Sequence, residues 1–376
     1  MLVIGGGLMG TTAAFFLRHH HRKSVTLLER ELVGRQASGV NFGNVRRQGR
    51  ALEQLPLVNR ARAVWGRVRE LLGEDLEFAP LGHLRLCYTE EQAAMLDQYA
   101  RDVRPLGLDL EILDAGALRS RYGFFSDEVM LGSLSPNDGH ANPRIAGPAF
   151  ARAARRAGAT ILEHADVVNV ERDGGEFVAH LANGDTYRAE QLFVATGAWS
   201  GRFAASMGEP VPLTAHGPQM GVTEPVAYAV GPSIGMTSPI NHEVLYFRQV
   251  ARGNIVFGGG LRTVADITGI RAHVAPENTL RQMRELRRFV PAFARLQLLR
   301  VWSGVEGYIA DGRPIIGPSA RIPGLHYAFG FNGEGFAISP GVGEAMAELM
   351  ATGTTSTPVD AFSIGRFAKA AAPTTS

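Results

Sequence analysis

The chain opens with the stretch Leu2-Val-Ile-Gly-Gly-Gly-Leu-Met-Gly10, in which three glycines have the spacing Gly5-x-Gly7-x-x-Gly10. Gly5 permits a tight turn, Gly7 lets the backbone approach a pyrophosphate, and Gly10 lets a helix pack closely on a strand. Glu29 follows roughly 20 residues after the last glycine, where dinucleotide-binding folds place the carboxylate that binds ribose hydroxyls. The spacing therefore predicts a dinucleotide site at the start of the chain.

The residues around these glycines have the periodicity of a strand, a helix and a second strand. An apolar strand ends at Ile4, a helix is predicted from Leu8 to about His20, and the apolar run 25–28 forms the next strand. A helix that begins directly after the glycines directs its N-terminal N–H groups and its dipole at the phosphates. This unit predicts an α/β fold with a Rossmann-like domain. A glycine-rich turn in another kind of α/β domain is the alternative.

Length and composition are those of a globular enzyme. The 376 residues permit two domains, and the net charge of +2 gives no reason to expect a nucleic acid or an anionic membrane as partner. The single cysteine, Cys87, excludes an internal disulfide and a cysteine-built metal site. No apolar run reaches the roughly 20 residues that span a bilayer, and the motif at residue 2 leaves no room for a signal peptide. We therefore expect a cytoplasmic protein without a membrane span and without a bound metal.

Further along the chain, helical and strand-like stretches alternate. Helical spacing predicts helices at 51–72, 90–103, 143–156, 276–289 and 338–350. Strands are predicted at 84–88, 160–162, 165–172, 177–181, 186–188, 244–248 and 254–257, and one more ends at Ala195-Thr-Gly197. Within the helix 276–289, the residues expected on one apolar face are Leu280, Met283, Leu286 and Phe289.

Two further segments are rich in glycine. The segment 32–48 is too long for an ordinary connection between a strand and a helix, and it carries the pair Arg46-Arg47. Near the end of the chain, Gly330-Phe-Asn-Gly-Glu-Gly-Phe336 leads into the predicted helix 338–350. Long loops in compact domains are usually functional or disordered. Both segments are therefore candidates for part of a site.

Three blocks of sequence carry a family resemblance. They are Val3–Gly10 with Glu29, then Gln36-Ala-Ser-Gly-x-Asn-x-Gly43, and finally Asp311-Gly-x-Pro-Ile-Ile-Gly317 followed by the segment 330–336. Over essentially its whole length, the chain resembles the D-amino-acid oxidase, glycine oxidase and sarcosine oxidase group of FAD-dependent amine oxidoreductases. It looks most similar to the flavin subunits of opine oxidase and hydrogen cyanide synthase. The resemblance implies FAD as cofactor, and noncovalent binding is expected because no cysteine is suitably placed for attachment.

The resemblance also implies an interleaved architecture. An FAD-binding, Rossmann-like domain would comprise residues 1–75, 137–210 and 305–376. A strand-rich substrate-binding domain of the α+β type would comprise residues 76–136 and 211–304.

The FAD-binding residues follow from the same resemblance. The N-terminal glycines and Glu29 would hold the ADP part, the loop at residues 37–39 would pass the pyrophosphate and ribityl chain, and a strand residue near Val168 would contact the adenine. The C-terminal glycines would direct N–H groups at the N1/O2 edge of the flavin, where negative charge develops on reduction. The expected set is Gly5, Gly7, Gly10, Glu29, Arg30, Ala37, Ser38, Gly43, Val168, Thr196, Gly197, Trp199, Gly330, Asn332, Gly333, Glu334, Gly335 and Phe336.

The chain departs from its relatives at the expected carboxylate site. D-Amino-acid and glycine oxidases have an arginine in a Gly-Leu-Arg-Pro stretch shortly before the Asp-Gly-x-Pro block, and a guanidinium fork can grip both carboxylate oxygens. Here the stretch reads Gly304-Val-Glu-Gly307, with Glu306 in that position. Arg46 is the first expected replacement, Arg248 the second and Arg313 the third. A surface or structural role is the alternative for each.

Five other side chains are candidates for the substrate site. Glu306 and Glu334 are each expected near the flavin, either to bind a cationic group of the substrate and take its proton or to pair with a nearby arginine. Tyr246 is a candidate hydroxyl over the substrate, with a core position as the alternative. His140 and His216 are candidate site histidines.

The resemblance implies an enzyme that oxidises the C–N bond of an amino acid, imino acid or opine-like secondary amine to an imine, which water then hydrolyses. The rivals are a 2-hydroxy-acid oxidoreductase with His140 or His216 as base, a nicotinamide-dependent dehydrogenase, and a flavin subunit that works only with partner chains. The sequence also leaves open whether the protein forms a homo-oligomer. Sarcosine oxidases resemble one another in using a lysine for the reaction with oxygen, and this chain has no lysine between Lys23 and Lys369. A dehydrogenase is therefore favoured over an oxidase.

Overall fold

The computed structural model describes residues 1–227, 229–236 and 244–371. The α-helices in this part of the chain are Leu8–His19, Ala37–Val40, Leu55–Gly66, Val68–Leu72, Glu90–Val103, Ala115–Arg121, Pro143–Arg156, Ser200–Ser206, Pro276–Phe289 and Gly335–Thr352. Short 3₁₀ helices lie at Leu52–Gln54, Arg104–Leu106, Gly197–Trp199, Pro291–Arg295, Asp360–Phe362 and Ile364–Ala371.

A six-stranded sheet forms around the first strand of the chain. Leu2–Ile4 has parallel neighbours on both sides, Thr26–Leu28 and Leu192–Val194. The edge strand Ile315–Pro318 is antiparallel to its neighbour. The order across the sheet is Ile315–Pro318, Leu325–Phe329, Leu192–Val194, Leu2–Ile4, Thr26–Leu28 and Thr160–Leu162. A parallel sheet with a helix directly after its central strand confirms the predicted Rossmann-like α/β fold.

Two helices approach each other closely on this sheet. A Cβ at Gly343 would lie 2.1 Å from the Thr12 hydroxyl oxygen, so only a glycine allows Gly335–Thr352 to pack against Leu8–His19 at this distance. The same hydroxyl approaches the Ser339 carbonyl oxygen at 3.2 Å. The two helices therefore pack against each other at Thr12, on one side, and at Ser339 and Gly343, on the other.

An eight-stranded sheet forms a second layer with its own core. It is antiparallel throughout except where Ser233–Met236 runs parallel to His83–Cys87. Its buried aromatic side chains include Phe247, Phe257 and Phe289. The order across it is Leu298–Ser303, Gln219–Pro225, Asn254–Gly258, Tyr246–Gln249, Ser233–Met236, His83–Cys87, Leu131–Ser135 and Glu111–Asp114.

Three small sheets complete the fold. The first is antiparallel and has three strands, Val167–Asp173, Glu176–Leu181 and Thr186–Ala189. Asn44–Val45 pairs with Gly139–His140. The third sheet places Leu213–Gly217 between Thr263–Val264 and Glu306–Ile309, again antiparallel.

The strands of the two large sheets come from different parts of the chain. All strands of the six-stranded sheet fall within 1–75, 137–210 and 305–376, and all strands of the eight-stranded sheet fall within 76–136 and 211–304. The domain boundaries themselves stay a prediction.

The structure corrects several element predictions. The helix predicted at 51–72 is divided, because Arg67 leaves the helical conformation between Leu55–Gly66 and Val68–Leu72. The last helix begins at Gly335, one turn earlier than predicted. Leu280 was expected on the apolar face of Pro276–Phe289 but is 68% exposed.

Candidate active site

A cavity of about 1330 Å³ opens at the carboxyl ends of the central parallel strands. All the residues predicted to bind the dinucleotide line it except Gly10, and so do Arg46, Tyr246, Glu306 and Arg313. The structure therefore brings together residues from all three family blocks. The binding roles of these residues stay predictions.

The first glycines form the wall where the helix Leu8–His19 begins. Gly5 has a φ of +107°, which L-residues rarely adopt, and a Cβ at Gly10 would lie 1.9 Å from the Gly5 carbonyl oxygen. A Cβ at Gly7 would meet the Ser38 hydroxyl at 3.1 Å, and this hydroxyl accepts a hydrogen bond from the Leu8 N–H at 2.8 Å. Gly10 thus serves the packing of helix on strand, whereas Gly7 keeps the backbone open toward the cavity.

The Glu29 carboxylate is fixed beside the same turn. Its two oxygens accept hydrogen bonds from the N–H of Gly6 at 2.6 Å and of Glu31 at 2.9 Å. Burial raises the pKa of Glu29, while the two backbone donors oppose this shift. The carboxylate is therefore held in one orientation at the cavity wall.

An aromatic and apolar surface lies at the same end of the cavity. The Arg30 guanidinium stacks over the Trp199 ring at 3.9 Å from its centroid. Val168 is 63% exposed although it is apolar, and it lines the cavity. A flat ligand group would cover such a surface and remove it from water.

The C-terminal glycine loop lines the opposite part of the cavity. Asn332 has a φ of +54°, and Gly330 and Gly333 also adopt positive φ values. The Asn332 side-chain oxygen accepts a hydrogen bond from the Ile309 N–H at 2.7 Å. Its buried Nδ2 has no hydrogen-bond partner among the described residues. Because buried donors are normally satisfied, this amide indicates a place for an acceptor atom of a ligand.

A cluster of arginines surrounds Glu334 at the start of the last helix. Arg46 Nη2 donates to Glu334 Oε1 at 3.1 Å, and Arg46 Nη1 donates to the Gln48 carbonyl oxygen at 2.6 Å. Arg50 is buried and donates to the Glu334 carbonyl oxygen at 3.0 Å, with Nη1 3.5 Å from Oε2. Burial lowers the pKa of Arg50, and the Glu334 carboxylate opposes this shift. The ion-pair alternative for Glu334 is thus present in the structure.

Glu306 and Tyr308 lie on one face of the strand Glu306–Ile309, because side chains two residues apart point the same way. The Tyr308 hydroxyl donates to Glu306 Oε2 at 3.1 Å. Burial raises the pKa of Glu306, whereas the Tyr308 hydroxyl and the charge of Arg262 lower it. The Arg262 guanidinium lies 4.6 Å from the centroid of the Tyr308 ring. All three residues line the cavity.

The family model described as FAD dependent oxidoreductase, abbreviated DAO, matches residues 1–349. The chain belongs to this family. The match confirms the predicted family and sets aside the nicotinamide-dependent alternative.

Similar proteins are named as amino-acid and amine oxidoreductases. Glycine oxidase of Geobacillus kaustophilus is 25% identical over 97% of this chain and 96% of its own length. Sarcosine oxidase subunit beta of Rhizobium meliloti is 24% identical over 92% of this chain and 82% of its own length. The 4-methylaminobutanoate oxidase of Paenarthrobacter nicotinovorans is 26% identical over 97% of this chain, but the chain spans only 45% of that relative. Among solved structures, L-proline dehydrogenase from P. horikoshii superposes with a TM-score of 0.90 at 25% identity, covering 98% of this chain and 97% of its own.

FAD is the cofactor of this family, and the cavity fits it. The open backbone at Gly7 and the N-terminus of Leu8–His19 would hold the pyrophosphate, with Glu29 at a ribose. The exposed Val168 would cover part of the adenine. The unpaired amide of Asn332, beside the N-terminus of Gly335–Thr352, would face an electronegative edge of the flavin.

Two predicted site residues require correction or comment. Arg248 is not among the residues that line the cavity. Its Nε donates to the Phe42 carbonyl oxygen at 2.9 Å, and its guanidinium lies over the Phe42 ring. Burial lowers its pKa to about 10. Arg248 therefore holds the glycine-rich loop behind Phe42.

Tyr246 does line the cavity, with its ring 4.8 Å from that of Phe42 and its hydroxyl 3.6 Å from the Met220 sulfur.

The candidate histidines and Cys87 lie outside the cavity lining. His140 is buried, and burial together with the nearby Arg248 holds its pKa well below the usual range. His216 packs edge-on against the Tyr308 ring, with the ring centroids 5.4 Å apart. Cys87 is buried in the eight-stranded sheet, and burial raises its pKa to about 11. Neither the hydroxy-acid rival nor covalent flavin attachment gains support from these positions.

Among the cavity residues that the sequence did not identify are Arg50, Arg262 and Tyr308. Tyr308 could have been found, because strand alternation places it on the same face as Glu306. Arg262 follows a predicted strand and belongs to no sequence motif. Arg50 lies three residues after the pair Arg46-Arg47, and no sequence pattern distinguishes it from that pair. Within the described residues, no helix is long and apolar enough to cross a membrane, and no group of ligating side chains could hold a metal ion.

Proposed function

We propose that this protein oxidises the C–N bond of an amino acid, imino acid or opine-like secondary amine to an imine. The substrate loses the α hydrogen as a hydride, for which bound FAD would supply the acceptor, and its amine loses a proton. Water then hydrolyses the imine to a carbonyl compound and to ammonia or an amine. The names of the relatives support this class, since glycine, sarcosine, proline and 4-methylaminobutanoate all carry an amine and a carboxylate.

The observation that carries the proposal is the partly buried Glu306 carboxylate beside the loop that is predicted to face the flavin. A Cβ at Gly333 would lie 3.6 Å from Glu306 Oε2 and 3.4 Å from the Tyr308 hydroxyl. A substrate ammonium at this point would exchange a proton with Glu306, and burial brings the pKa of Glu306 closer to that of a useful base. FAD supplies the hydride acceptor when bound. The protein's own contribution is to hold the amine, remove its proton and orient the C–H bond.

The experiment is anaerobic bleaching of the bound flavin by a panel of D- and L-amino acids, N-methyl amines, imino acids, opines and 2-hydroxy acids. We expect one of the amine classes to bleach the flavin. Heat or acid should first release a yellow compound with the mass of FAD, because Cys87 is buried away from the cavity. Bleaching by a 2-hydroxy acid alone would overturn the proposal.

A flavin subunit that needs partner chains is the second candidate, favoured by the similarity to sarcosine oxidase subunit beta. Native mass and copurification from the source cells distinguish the two. A protein that is bleached by amines alone and turns over with a dye needs no partner.

A further inference from the structure

A cation and an anion line one wall of the cavity without neutralising each other. Glu306 accepts a hydrogen bond from the Tyr308 hydroxyl, and Arg262 lies over the face of the same ring. Arg262 is exposed and forms no hydrogen bond or ion pair with any residue that the structure describes. The Tyr308 ring therefore lies between the Glu306 carboxylate and the Arg262 guanidinium, and each of these charged groups can still bind a ligand.

The other candidate arginines of the cavity already have carboxylate partners. Arg46 donates to Glu334 at 3.1 Å, and Arg313 lies 3.7 Å from Asp311. A substrate carboxylate would have to compete with these protein carboxylates. At Arg262 it would replace only water.

The backbone before Arg262 is fixed by buried polar side chains. Asn278 accepts a hydrogen bond from the Leu261 N–H at 3.0 Å and donates to the Gly259 and Leu261 carbonyl oxygens at 3.2 and 3.1 Å. Gln282 donates to the Gly259 carbonyl oxygen at 2.7 Å. Both side chains are fully buried. A turn held in this way presents Arg262 at a defined place, as a binding residue requires.

We infer that Arg262 binds the carboxylate of a zwitterionic substrate whose amine lies at Glu306, with Tyr308 between the two poles. This inference rests on the proposed function and narrows it to compounds that carry a carboxylate close to the amine. It moves the carboxylate site from Arg46 to Arg262. The Arg262 fork can grip both oxygens, and the ring face beneath it limits its orientations.

The test uses the FAD-loaded protein and ligands that cannot be oxidised. In 2-aminoisobutyrate the α-carbon carries no hydrogen; 2-aminoisobutyramide lacks the carboxylate charge, and isobutyrate lacks the amine. Binding is followed by the change in the absorption of the bound flavin, so no turnover is needed. The variants are Arg262→Gln, Arg262→Lys and Arg46→Gln, with the exposed Arg281→Gln as control.

Arg262→Gln should weaken 2-aminoisobutyrate binding by about 10- to 100-fold, the effect of one charge-assisted pair, and leave the amide unaffected. Arg262→Lys should restore only part, because a point charge does not replace the fork. Arg281→Gln should bind both compounds like wild type, and Arg46→Gln should change the binding of the acid and of the amide by the same factor. Flavin content should stay unchanged throughout.

Two results overturn the inference. One is wild-type affinity in Arg262→Gln combined with loss in Arg46→Gln, and the other is no binding of 2-aminoisobutyrate to the wild type. A protein that binds 2-aminoisobutyrate through Arg262 but is bleached by no amine would retain this site and reject the proposed function.

Discussion

Glu334 lies between two arginines, with its Oε1 3.1 Å from Arg46 Nη2 and its Oε2 3.5 Å from Arg50 Nη1. The Arg50 side chain is only 2% exposed, so its charge depends on this carboxylate for compensation. Glu334 is also the residue immediately before the helix Gly335–Thr352. These two ion pairs therefore connect the loop at residue 46 with the loop that is predicted to face the flavin.

Removal of Glu334 should destabilise the fold as well as the site. Glu334→Ala leaves buried guanidinium groups without their counter-charge, and we expect a loss of about 2–5 kcal/mol in the free energy of unfolding. Chemical denaturation of the apoprotein measures this directly. The exposed Glu53→Ala is the control and should change stability by less than about 0.5 kcal/mol. Equal stability of the two variants would show that the ion pair contributes nothing.

Two glycines of the first motif should fail in different ways. Gly7→Val should abolish FAD binding and leave the apoprotein folded, because a Cβ there meets only the Ser38 hydroxyl and otherwise occupies the space for the pyrophosphate. Gly10→Val should prevent folding, because its Cβ would overlap the Gly5 carbonyl oxygen. Circular dichroism reports the fold and the yellow colour reports FAD. A yellow Gly7→Val protein would contradict the pyrophosphate assignment.

The central sheet could be predicted from sequence because local rules determine it. The glycine spacing, the apolar strand and the acid at residue 29 all indicate one βαβ unit, and each lies within thirty residues of the others. On the helix Pro276–Phe289 the prediction was wrong for Leu280, although Leu286 and Phe289 are buried as predicted, and the reason is a contact distant in sequence. Asn278 and Gln282 are buried because they satisfy the backbone of a turn distant in sequence, and Leu280 is exposed instead. No periodicity in a single helix reveals such a partner.

The candidate site shows the same limit. Glu306 was identified because it replaces an arginine in a block shared with relatives. The partners of Arg46 and Arg248 could not be predicted, because Glu334 and Phe42 reach them only through the folded loops. Arginine identity alone does not distinguish a guanidinium that binds a substrate from one that binds the protein.

The turn before Arg262 depends on Asn278. Asn278→Ala removes three hydrogen bonds to the backbone of this turn, and we expect a loss of about 1–3 kcal/mol in the free energy of unfolding. If the turn positions Arg262, the same variant should also weaken 2-aminoisobutyrate binding while the amide binds as before. Unchanged amino-acid affinity in a destabilised protein would assign Asn278 a structural role only.

The acidic limb of the pH profile should report Glu306. Its carboxylate form is needed to take the proton of the amine, so kcat/KM should fall as the pH drops through its raised pKa. Glu306→Gln should remove this limb and lower kcat/KM by about 10²- to 10⁴-fold. The groups that face Glu306 are Tyr308, Arg262 and His216.

Tyr308→Phe tests whether the acidic limb of the pH profile belongs to Glu306 or to one of its neighbours. The hydroxyl stabilises the charged carboxylate, so its removal should raise the pKa of Glu306 and move the acidic limb to higher pH. A limb that persists in Glu306→Gln would belong to another group, and the assignment of the base would be wrong.

The last prediction concerns the electron acceptor of the reduced protein. A positive charge beside the flavin stabilises the superoxide that forms first in the reaction with oxygen, and sarcosine oxidases resemble one another in supplying a lysine. Lys23 follows the end of the helix Leu8–His19 and is not among the described residues that line the cavity. The side chain of Lys369 lies outside the part of the chain that the structure describes. The charge of Arg46 is balanced by Glu334, Arg262 is assigned to the substrate carboxylate, and burial keeps His140 neutral. We therefore expect a dehydrogenase that reacts slowly with oxygen and faster with a dye, a quinone or a partner subunit.

Stopped-flow mixing of substrate-reduced protein with air-saturated buffer measures the rate of reoxidation by oxygen. Reoxidation as fast as turnover, with one peroxide formed per substrate, would make the protein an oxidase and refute the argument from the missing lysine.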